Sequence, residues 1–243
     1  LLVRGPKGTE VVLTIQPKSA EATIDVSVTR DVIDLQSVFF RWVEPFPTAD
    51  DKQSRNILYV QITSFRENTD EQLEVALQEL DNAGIPSLLL DLQYNPGGLL
   101  NETLDIASRF LGDKLILYQE DKDGTRQELT GDNEMIDPAI PIAVLVNEGS
   151  ASASEVLAAS LQAHKRATVI GRSTFGKGRV SSYRELADEG TLYYSIARWY
   201  SPDGTQIDGD GVTPDISVPV GDSSGEDPIF NAGMRHLTSL YTR

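Results

Sequence analysis

The hydrophobic and polar positions of this chain follow two patterns, and the change from one to the other occurs near residue 57. Before it, residues 9–15 alternate apolar and polar positions after a Gly-Pro turn, which predicts a β-strand. The stretches "ATIDVSVTRDVIDL" and "SVFFRWV" continue the pattern and predict further strands. Residues 45–56 are rich in proline and then polar, which is typical of a loop or a disordered connector.

After residue 57, strand patterns alternate with helix patterns. The strand "ILYVQIT" precedes a helix predicted from Thr69 to Ala83, whose apolar residues recur on one face. Thr69 stands three residues before Gln72, a spacing that predicts a capping box at the start of this helix. Gly84 and Pro86 follow, as is typical of a helix end.

Two strand–loop–helix units of similar design come next. In the first, the continuous apolar run at 87–92 predicts a strand buried on both faces, and the loop "NPGG" leads into an amphipathic helix at about 99–111. In the second, the run at 140–146 is the buried strand, "NEGSAS" is the loop, and Ala153–His164 is the helix. This repetition predicts an α/β core.

The remaining part of the chain predicts strands that flank this core. They lie near "ATVIG" and "TLYYSIARWY", and a glycine-rich loop around "FGKG" separates them. Residues 201–216 are dense in turn-forming residues, and "DPIFNAGMRHLTSLY" predicts a short C-terminal helix.

The charge and residue balance disfavours several function classes. The 243 residues include 21 basic and 37 acidic side chains, for a net charge of −16, so neither nucleic acid nor an anionic membrane surface is an expected partner. The chain has no cysteine, which excludes thiol nucleophiles and disulfides, and its two histidines disfavour a histidine-rich metal site. No apolar run approaches the roughly 18 residues of a membrane span.

Three serines alternate in "NEGSASASE", residues 147–155, between a predicted strand and a predicted helix. Ser152 stands three residues before Glu155, which is the spacing of a capping box. The same location also suits a nucleophile, because free backbone N–H groups and the positive end of the helix dipole can stabilise an oxyanion. The local sequence does not distinguish a cap from a nucleophile.

To decide between a cap and a nucleophile, we ask which residue could accept the proton of the serine. His164 lies about three helical turns, or roughly 18 Å, beyond Ser152, so one side chain cannot span the gap. His236 falls in the C-terminal helix, where a surface position is the default, so a Ser-His-Asp triad is poorly supported. Lys177 is flanked by glycines, which let a lysine tuck inward, where burial favours the neutral amine. An exposed loop lysine is the alternative interpretation.

Three segments carry a family resemblance. They are "LLLDLQYNPGGLL" at 88–100, "VLVNEGSASASEVLAASLQAHKRATVIGRSTFGKG" at 144–178 and "ARWYSPDGTQIDGDGVTPDI" at 197–216. Together they resemble the C-terminal processing proteases, also called tail-specific proteases, which use a Ser–Lys dyad. The resemblance runs from about Ile57 to Val220 and implies an α/β protease core of the ClpP/crotonase-like kind.

The resemblance also implies the roles of individual residues. Ser152 would be the nucleophile of a serine endopeptidase, Lys177 its general base, and the backbone N–H groups of Gly98 and Ala153 its oxyanion hole. No metal or organic cofactor is implied. The implied substrates are proteins or peptides with apolar or unstructured C-terminal tails, and the implied location is outside the cytoplasm, in a periplasm, cell envelope or lumen.

The first residues, "LLVRGPKGTEVVLTI", look like the last part of the PDZ domain that precedes the protease core in this family. The resemblance thus divides the chain into a PDZ remnant at 1–16, linking strands and connector at 17–56, a protease core at 57–220 and a helical tail at 221–243. A PDZ domain would bind a free carboxylate by strand addition. Because the chain opens at Leu1 without Met or a targeting signal, we also expect a mature or trimmed product.

Two positions depart from the family pattern. Ser181 stands where relatives commonly carry a glutamine that helps to hold the lysine amine, and Ala163 stands where many carry an aspartate. The Ser181 hydroxyl could still hydrogen-bond Lys177, over a shorter reach. These departures keep open a second hypothesis, a catalytically silent peptide-binding scaffold. A third, a crotonase-like acyl-CoA enzyme, shares the glycine-rich loops before helices but needs no Ser–Lys pair.

Overall fold

The computed structural model describes residues 3–18, 22–32, 35–46, 56–83, 86–132, 134–186, 190–221 and 227–240. The chain divides into two units, Leu1–Gln36 and Ser37–Arg243. In the first unit, β1 (Glu10–Ile15) and β2 (Ile24–Thr29) form an antiparallel pair, as their alternating residues predict. The PDZ remnant at 1–16 lies within this unit and stays a prediction.

The second unit is built on a six-stranded sheet. Across the sheet, its strands are β12 (Ile216–Ser217), β9 (Thr168–Gly171), β8 (Ile142–Val146), β5 (Ser87–Asp91), β4 (Ile57–Ile62) and β3 (Val38–Val43). Neighbouring strands are parallel except β3 and β4, which are antiparallel. The two continuous apolar runs of the sequence form the central strands β5 and β8.

Helices cover both faces of this sheet, which explains why its central strands β5 and β8 are buried at every position. The helices are α1 (Thr69–Asn82), α2 (Leu100–Leu111), α3 (Ala153–Ala163) and α4 (Pro228–Ser239). Leu88 and Leu90 belong to the core shared with α1, α2 and α3, whereas Leu89 belongs to the core under α4. The predicted α/β class with two strand–loop–helix units, β5–α2 and β8–α3, is confirmed.

A four-stranded antiparallel sheet completes the second unit. Across this sheet, its strands are β10 (Arg179–Glu185), β11 (Thr191–Tyr200), β6 (Leu115–Asp121) and β7 (Arg126–Thr130). The hydrophobic pattern did not predict β6 and β7. A bulge between Val180 and Ser181 shifts the register of β10 against β11.

The predicted capping box at the start of α1 is wrong. The Gln72 side chain turns to β3 instead, where its Oε1 accepts the backbone N–H groups of Ser37, at 2.8 Å, and Val38, at 3.2 Å. The helix begins after Asn68, whose φ of 70° is left-handed and whose side chain does not cap it. The Gln72 side chain therefore hydrogen-bonds to a strand distant in sequence, whereas the local spacing predicted a bond at the start of its own helix. Gly84 and residues 47–55 of the predicted connector lie outside the described residues.

Candidate active site

The loop between β8 and α3 holds the three alternating serines, and the structure separates their roles. Ser150 is buried and donates its hydroxyl to the carbonyl of Leu92 at 2.7 Å. Ser154 is buried and donates to the carbonyl of Asn95 at 2.9 Å. Ser152, at the N-cap of α3, is only partly buried. Of the three serines, Ser152 is therefore the one that a substrate can reach.

Ser152 has a strained backbone. Its φ of 58° and ψ of −116° lie in a region that side chains other than glycine rarely adopt. Such a conformation costs of the order of 1–3 kcal/mol, and strained residues of this kind cluster at functional sites. A helix cap does not require this conformation, because N-cap residues ordinarily have β-region backbone angles.

The "NPGG" loop packs directly against this serine, and glycine is required at both of its last positions. A Cβ on Gly97 would lie 2.8 Å from both the Ser152 Cβ and the Ala153 nitrogen. A Cβ on Gly98 would lie 1.9 Å from the Phe65 carbonyl oxygen. The two strand–loop–helix units therefore meet at the start of α3.

Asn95 holds the two loops together. It is fully buried, its Nδ2 donates to the Ile62 carbonyl at 2.7 Å, and its Oδ1 accepts the Gly97 N–H at 2.9 Å. Its own carbonyl accepts the N–H of Ala151 at 3.0 Å, in addition to the Ser154 hydroxyl. Asn95 is not among the predicted site residues, although an asparagine between a buried strand and two glycines is a signal for such a role.

Two backbone N–H groups at this junction are available to a ligand. The Gly97 carbonyl and the Leu99 N–H both bond to Phe65, at 3.1 and 2.8 Å, so the Gly98 N–H between them points to the opposite side. Ala153 opens α3, where N–H groups have no partner within the helix. Within the described part of the chain, neither N–H donates a hydrogen bond. Donors of this kind can hold an oxyanion.

Glu155 is a buried residue whose hydrogen-bond partners the sequence revealed only in part. Its side chain is fully buried and accepts four hydrogen bonds. One oxygen, Oε2, accepts the backbone N–H groups of Ser152, at 2.7 Å, and Lys177, at 2.9 Å. The other, Oε1, accepts the Thr174 hydroxyl and the Gly176 N–H, both at 2.6 Å. The spacing to Ser152 predicted the first of these bonds, and the other three come from a loop later in the chain.

The backbone N–H of Lys177 is hydrogen-bonded to Glu155, and Lys177 is exposed. Of the two interpretations of Lys177 that the sequence left open, the structure shows the exposed loop lysine. The flanking glycines serve another purpose, because a Cβ on Gly176 would lie 2.8 Å from the Gly209 carbonyl and one on Gly178 would lie 2.2 Å from the Asp208 nitrogen. Within the described residues, the Ser152 hydroxyl and the Lys177 amine are not hydrogen-bonded to each other.

The other candidate residues stand apart from this junction. Ser181 lies on β10, is exposed, and makes no hydrogen bond to Lys177 among the described residues. His164 caps the opposite end of α3 and bonds to the Leu115 carbonyl at 2.7 Å, and His236 lies in α4. Ala163 ends α3.

Neither a metal site nor a membrane span is found in the residues that the structure describes. No group of three or more histidine, cysteine, aspartate or glutamate side chains there could hold a metal ion. Of the helices described, none has both the length and the apolar character that a bilayer crossing requires.

Known proteins resemble this chain in sequence and in structure. Residues 56–218 match peptidase family S41. A probable CtpA-like serine protease of Staphylococcus epidermidis is 36% identical over 219 residues, which cover 89% of this chain and 42% of that protein. A carboxyl-terminal-processing protease of Synechocystis is 35% identical over 216 residues, which cover 89% of this chain and 49% of that protein. The chain thus spans less than half the length of these two relatives.

A solved structure shares the fold of this chain. The photosystem II D1 C-terminal processing protease superposes with a TM-score of 0.71 at 30% sequence identity. The superposition covers 96% of this chain and 61% of that protein.

Proposed function

The chain belongs to peptidase family S41, and from this premise we propose that it is a serine endopeptidase with Ser152 as nucleophile and Lys177 as general base. We further propose that it cleaves proteins at or near their C-terminal tails and acts outside the cytoplasm, in a periplasm, cell envelope or lumen. The single observation that supports the dyad best is the shared carboxylate oxygen of Glu155, which bonds the backbones of both residues.

Formation and hydrolysis of the acyl-enzyme each use two proton transfers. The neutral Lys177 amine takes the proton of the Ser152 hydroxyl as the serine oxygen attacks the peptide carbonyl carbon. The oxyanion that forms is held by the N–H groups of Gly98 and Ala153. The lysine then gives its proton to the leaving nitrogen, the C–N bond breaks, and an ester of Ser152 remains. Water, deprotonated by the lysine, attacks this ester and releases the acid, and the lysine returns the proton to the serine oxygen.

Enclosure by the substrate would explain how an exposed lysine becomes a base. An amine in water keeps its proton, whereas removal from water favours the neutral form. A peptide lying across Ser152 excludes water from the Lys177 side chain. We therefore expect the dyad to assemble when substrate binds, since catalytic hydrogen bonds are often long before that step. We propose that Ser181, on the strand β10 that follows Lys177 in the chain, orients the Lys177 amine when substrate is bound.

An activity-based probe tests this assignment. A fluorophosphonate should label the chain, and labelling should disappear in Ser152→Ala but persist in Ser154→Ala, which loses only the buried bond to Asn95. Turnover of unfolded casein should disappear in Lys177→Ala and in Lys177→Arg, because a guanidinium keeps its proton. Lys114→Ala, at an exposed position, is the matched control and should keep its activity.

Some outcomes would overturn the proposal. Casein turnover that survives in both Ser152→Ala and Lys177→Ala would remove the dyad. A chain that neither reacts with the probe nor cleaves casein, while still binding peptides, would be the scaffold.

A further inference from the structure

Strand β10 is a free edge of the four-stranded sheet. It pairs with β11 on one side, and no strand among the described residues pairs with its other side. Where the hairpin closes, the Leu186 N–H donates to the Gly190 carbonyl at 2.8 Å. Since inward and outward groups alternate along a strand, the even-numbered residues of β10 bond to β11. Its odd-numbered residues therefore direct their N–H and C=O groups outward, and the bulge does not interrupt this alternation because its extra residue is on β11.

The far half of this hairpin extends beyond the sheet. Strand β6 pairs with β11 only at residues 197–200, so residues 181–185 and 191–195 form a ribbon with no third strand in the described part of the chain. On this ribbon Tyr183 is 64% exposed and Tyr193 is 72% exposed, with ring centroids 6.0 Å apart. A two-stranded ribbon is marginally stable alone, and exposed apolar patches mark interaction sites. The ribbon is thus a candidate interaction surface.

The outward edge of β10 is complementary to itself in charge. When two copies of β10 run antiparallel with Ser182 opposite Ser182, Arg179 of each copy stands opposite Glu185 of the other. Opposite charges in such positions stabilise a strand pair. Glu185 is exposed and has no ion-pair partner among the described residues. Arg179 pairs with Asp208 through Nε, yet its side chain is 58% exposed.

The same register also satisfies the backbone and the aromatic side chains. Odd-numbered residues of one copy meet odd-numbered residues of the other, so their outward N–H and C=O groups bond each other. Tyr183 lies opposite Ser181 of the second copy, which is small enough to leave room for the ring. The two Tyr183 rings are then diagonal neighbours on one face, a separation that aromatic side chains can bridge. Tyr193, opposite Tyr183 on the same face, extends this cluster in each copy.

We propose that β10 binds β10 of a second copy of this chain, antiparallel and centred on Ser182. A surface that is complementary to itself in this way is what a two-fold symmetric dimer requires. The contact is narrow, so we expect a dissociation constant in the micromolar range. Because β10 begins two residues after Lys177, the second copy lies beside the candidate active site. The inference goes beyond the proposed function and does not depend on it.

Sedimentation equilibrium of the full chain tests the dimer. Between about 1 µM and about 200 µM, the mean mass should rise from that of one chain toward that of two. Glu185→Arg should raise the dissociation constant by about tenfold, because it converts two opposite-charge pairs into like-charge pairs. Glu128→Arg makes the same change at an exposed position of β7, on the opposite edge of the sheet, and should leave the dissociation constant unchanged.

A single cysteine tests the register, since the chain has no cysteine of its own. Ser182→Cys places two thiols across a pair without hydrogen bonds, with Cα atoms about 4.5 Å apart, so diamide should link the two chains by a disulfide. Ser181→Cys is the matched control. Its two Cα atoms would be about 8–9 Å apart in the same register, beyond the reach of a disulfide, so this variant should stay unlinked.

Several results would overturn the proposal. One is a chain that stays monomeric at every concentration, whether or not an extended peptide can occupy the β10 edge. Another is a dimer that Glu185→Arg does not weaken, or that diamide links through Ser181→Cys and not through Ser182→Cys, because the contact would then lie elsewhere. Ser152→Ala should dimerise as the unmodified chain does, so the mass measurement stays separate from any result on catalysis.

Discussion

The backbone nitrogens of Ser152 and Lys177 donate to the same atom, Oε2 of Glu155, at 2.7 and 2.9 Å. The proposed nucleophile and the proposed base are thus tied to each other through a buried carboxylate, before any contact forms between their side chains. Among the residues that the structure describes, this side chain has no cationic partner; four hydrogen-bond donors and the start of α3 surround it instead.

Glu155→Gln should separate the two catalytic segments. An amide can offer an oxygen to only one of the two pairs of donors, so two hydrogen bonds to a charged group are lost. We expect the free energy of unfolding to fall by about 3 kcal/mol and kcat of the folded protein to fall by more than tenfold. Urea unfolding and casein turnover measure the two effects. Glu148→Gln, in the same loop but with an exposed side chain paired to Arg172, should cost less than about 1 kcal/mol and keep its activity.

Thr174 offers a second test of the same carboxylate. Its hydroxyl donates to Glu155 at 2.6 Å and accepts the Val212 N–H at 2.7 Å, and both bonds are buried. Thr174→Val has nearly the same shape but leaves these partners unpaired, so we expect a loss of about 2–3 kcal/mol in urea unfolding. Thr174→Ser keeps the hydroxyl and should retain most of the stability and activity. Equal losses in the two variants would mean that the methyl group, and not the hydroxyl, matters.

Gly98→Ala should abolish turnover. The added Cβ would meet the Phe65 carbonyl oxygen at 1.9 Å, so the loop must shift and carry its N–H away from the oxyanion position. We expect kcat to fall by about 10²- to 10³-fold, the usual effect of losing one oxyanion donor. Gly124→Ala is the control: its φ of 79° is also left-handed, but no atom lies within 4 Å of the added Cβ. Normal kcat in Gly98→Ala would exclude this loop from the oxyanion hole.

Asp91, at the end of β5, should make stability depend on pH. Burial raises the pKa of this carboxyl above 3.8, against the opposing hydrogen bonds from the Tyr59 hydroxyl, at 2.6 Å, and the Gln93 N–H, at 2.9 Å, and the charge of Asp227 raises it further. A raised pKa in the folded state means that the folded protein binds the proton more tightly than the unfolded chain. Stability therefore falls as the pH rises from about 4 through the raised pKa of Asp91.

Comparison with the variant Asp91→Asn isolates the contribution of this carboxyl to stability. The free energy of unfolding of the unmodified chain, minus that of Asp91→Asn, should decrease between pH 4 and pH 8 in urea titrations. Asp81→Asn, at an exposed position of α1, controls for the loss of one acidic side chain. An increase of the difference with pH would contradict the raised pKa.

The sequence by itself determined the elements that local pattern controls. The apolar runs at 87–92 and 140–146 predicted strands with both faces covered, and helix patterns followed the small-residue loops after them. The alternating serines before Glu155 placed the start of α3 correctly. These predictions succeed because neighbouring residues alone decide backbone periodicity, turn conformation and the spacing of a cap.

The tertiary structure decided the contacts between residues that lie far apart in the sequence. Gln72 bonds to β3 instead of its own helix, and Glu155 receives three of its four donors from residues 174–177. Lys177 is exposed, a choice that its flanking glycines left open. Pairing with β11, far along the chain, completes β6. The physical reason is that a buried polar group takes whichever partner the packed interior brings to it, and partners many residues apart leave no periodic trace in the sequence.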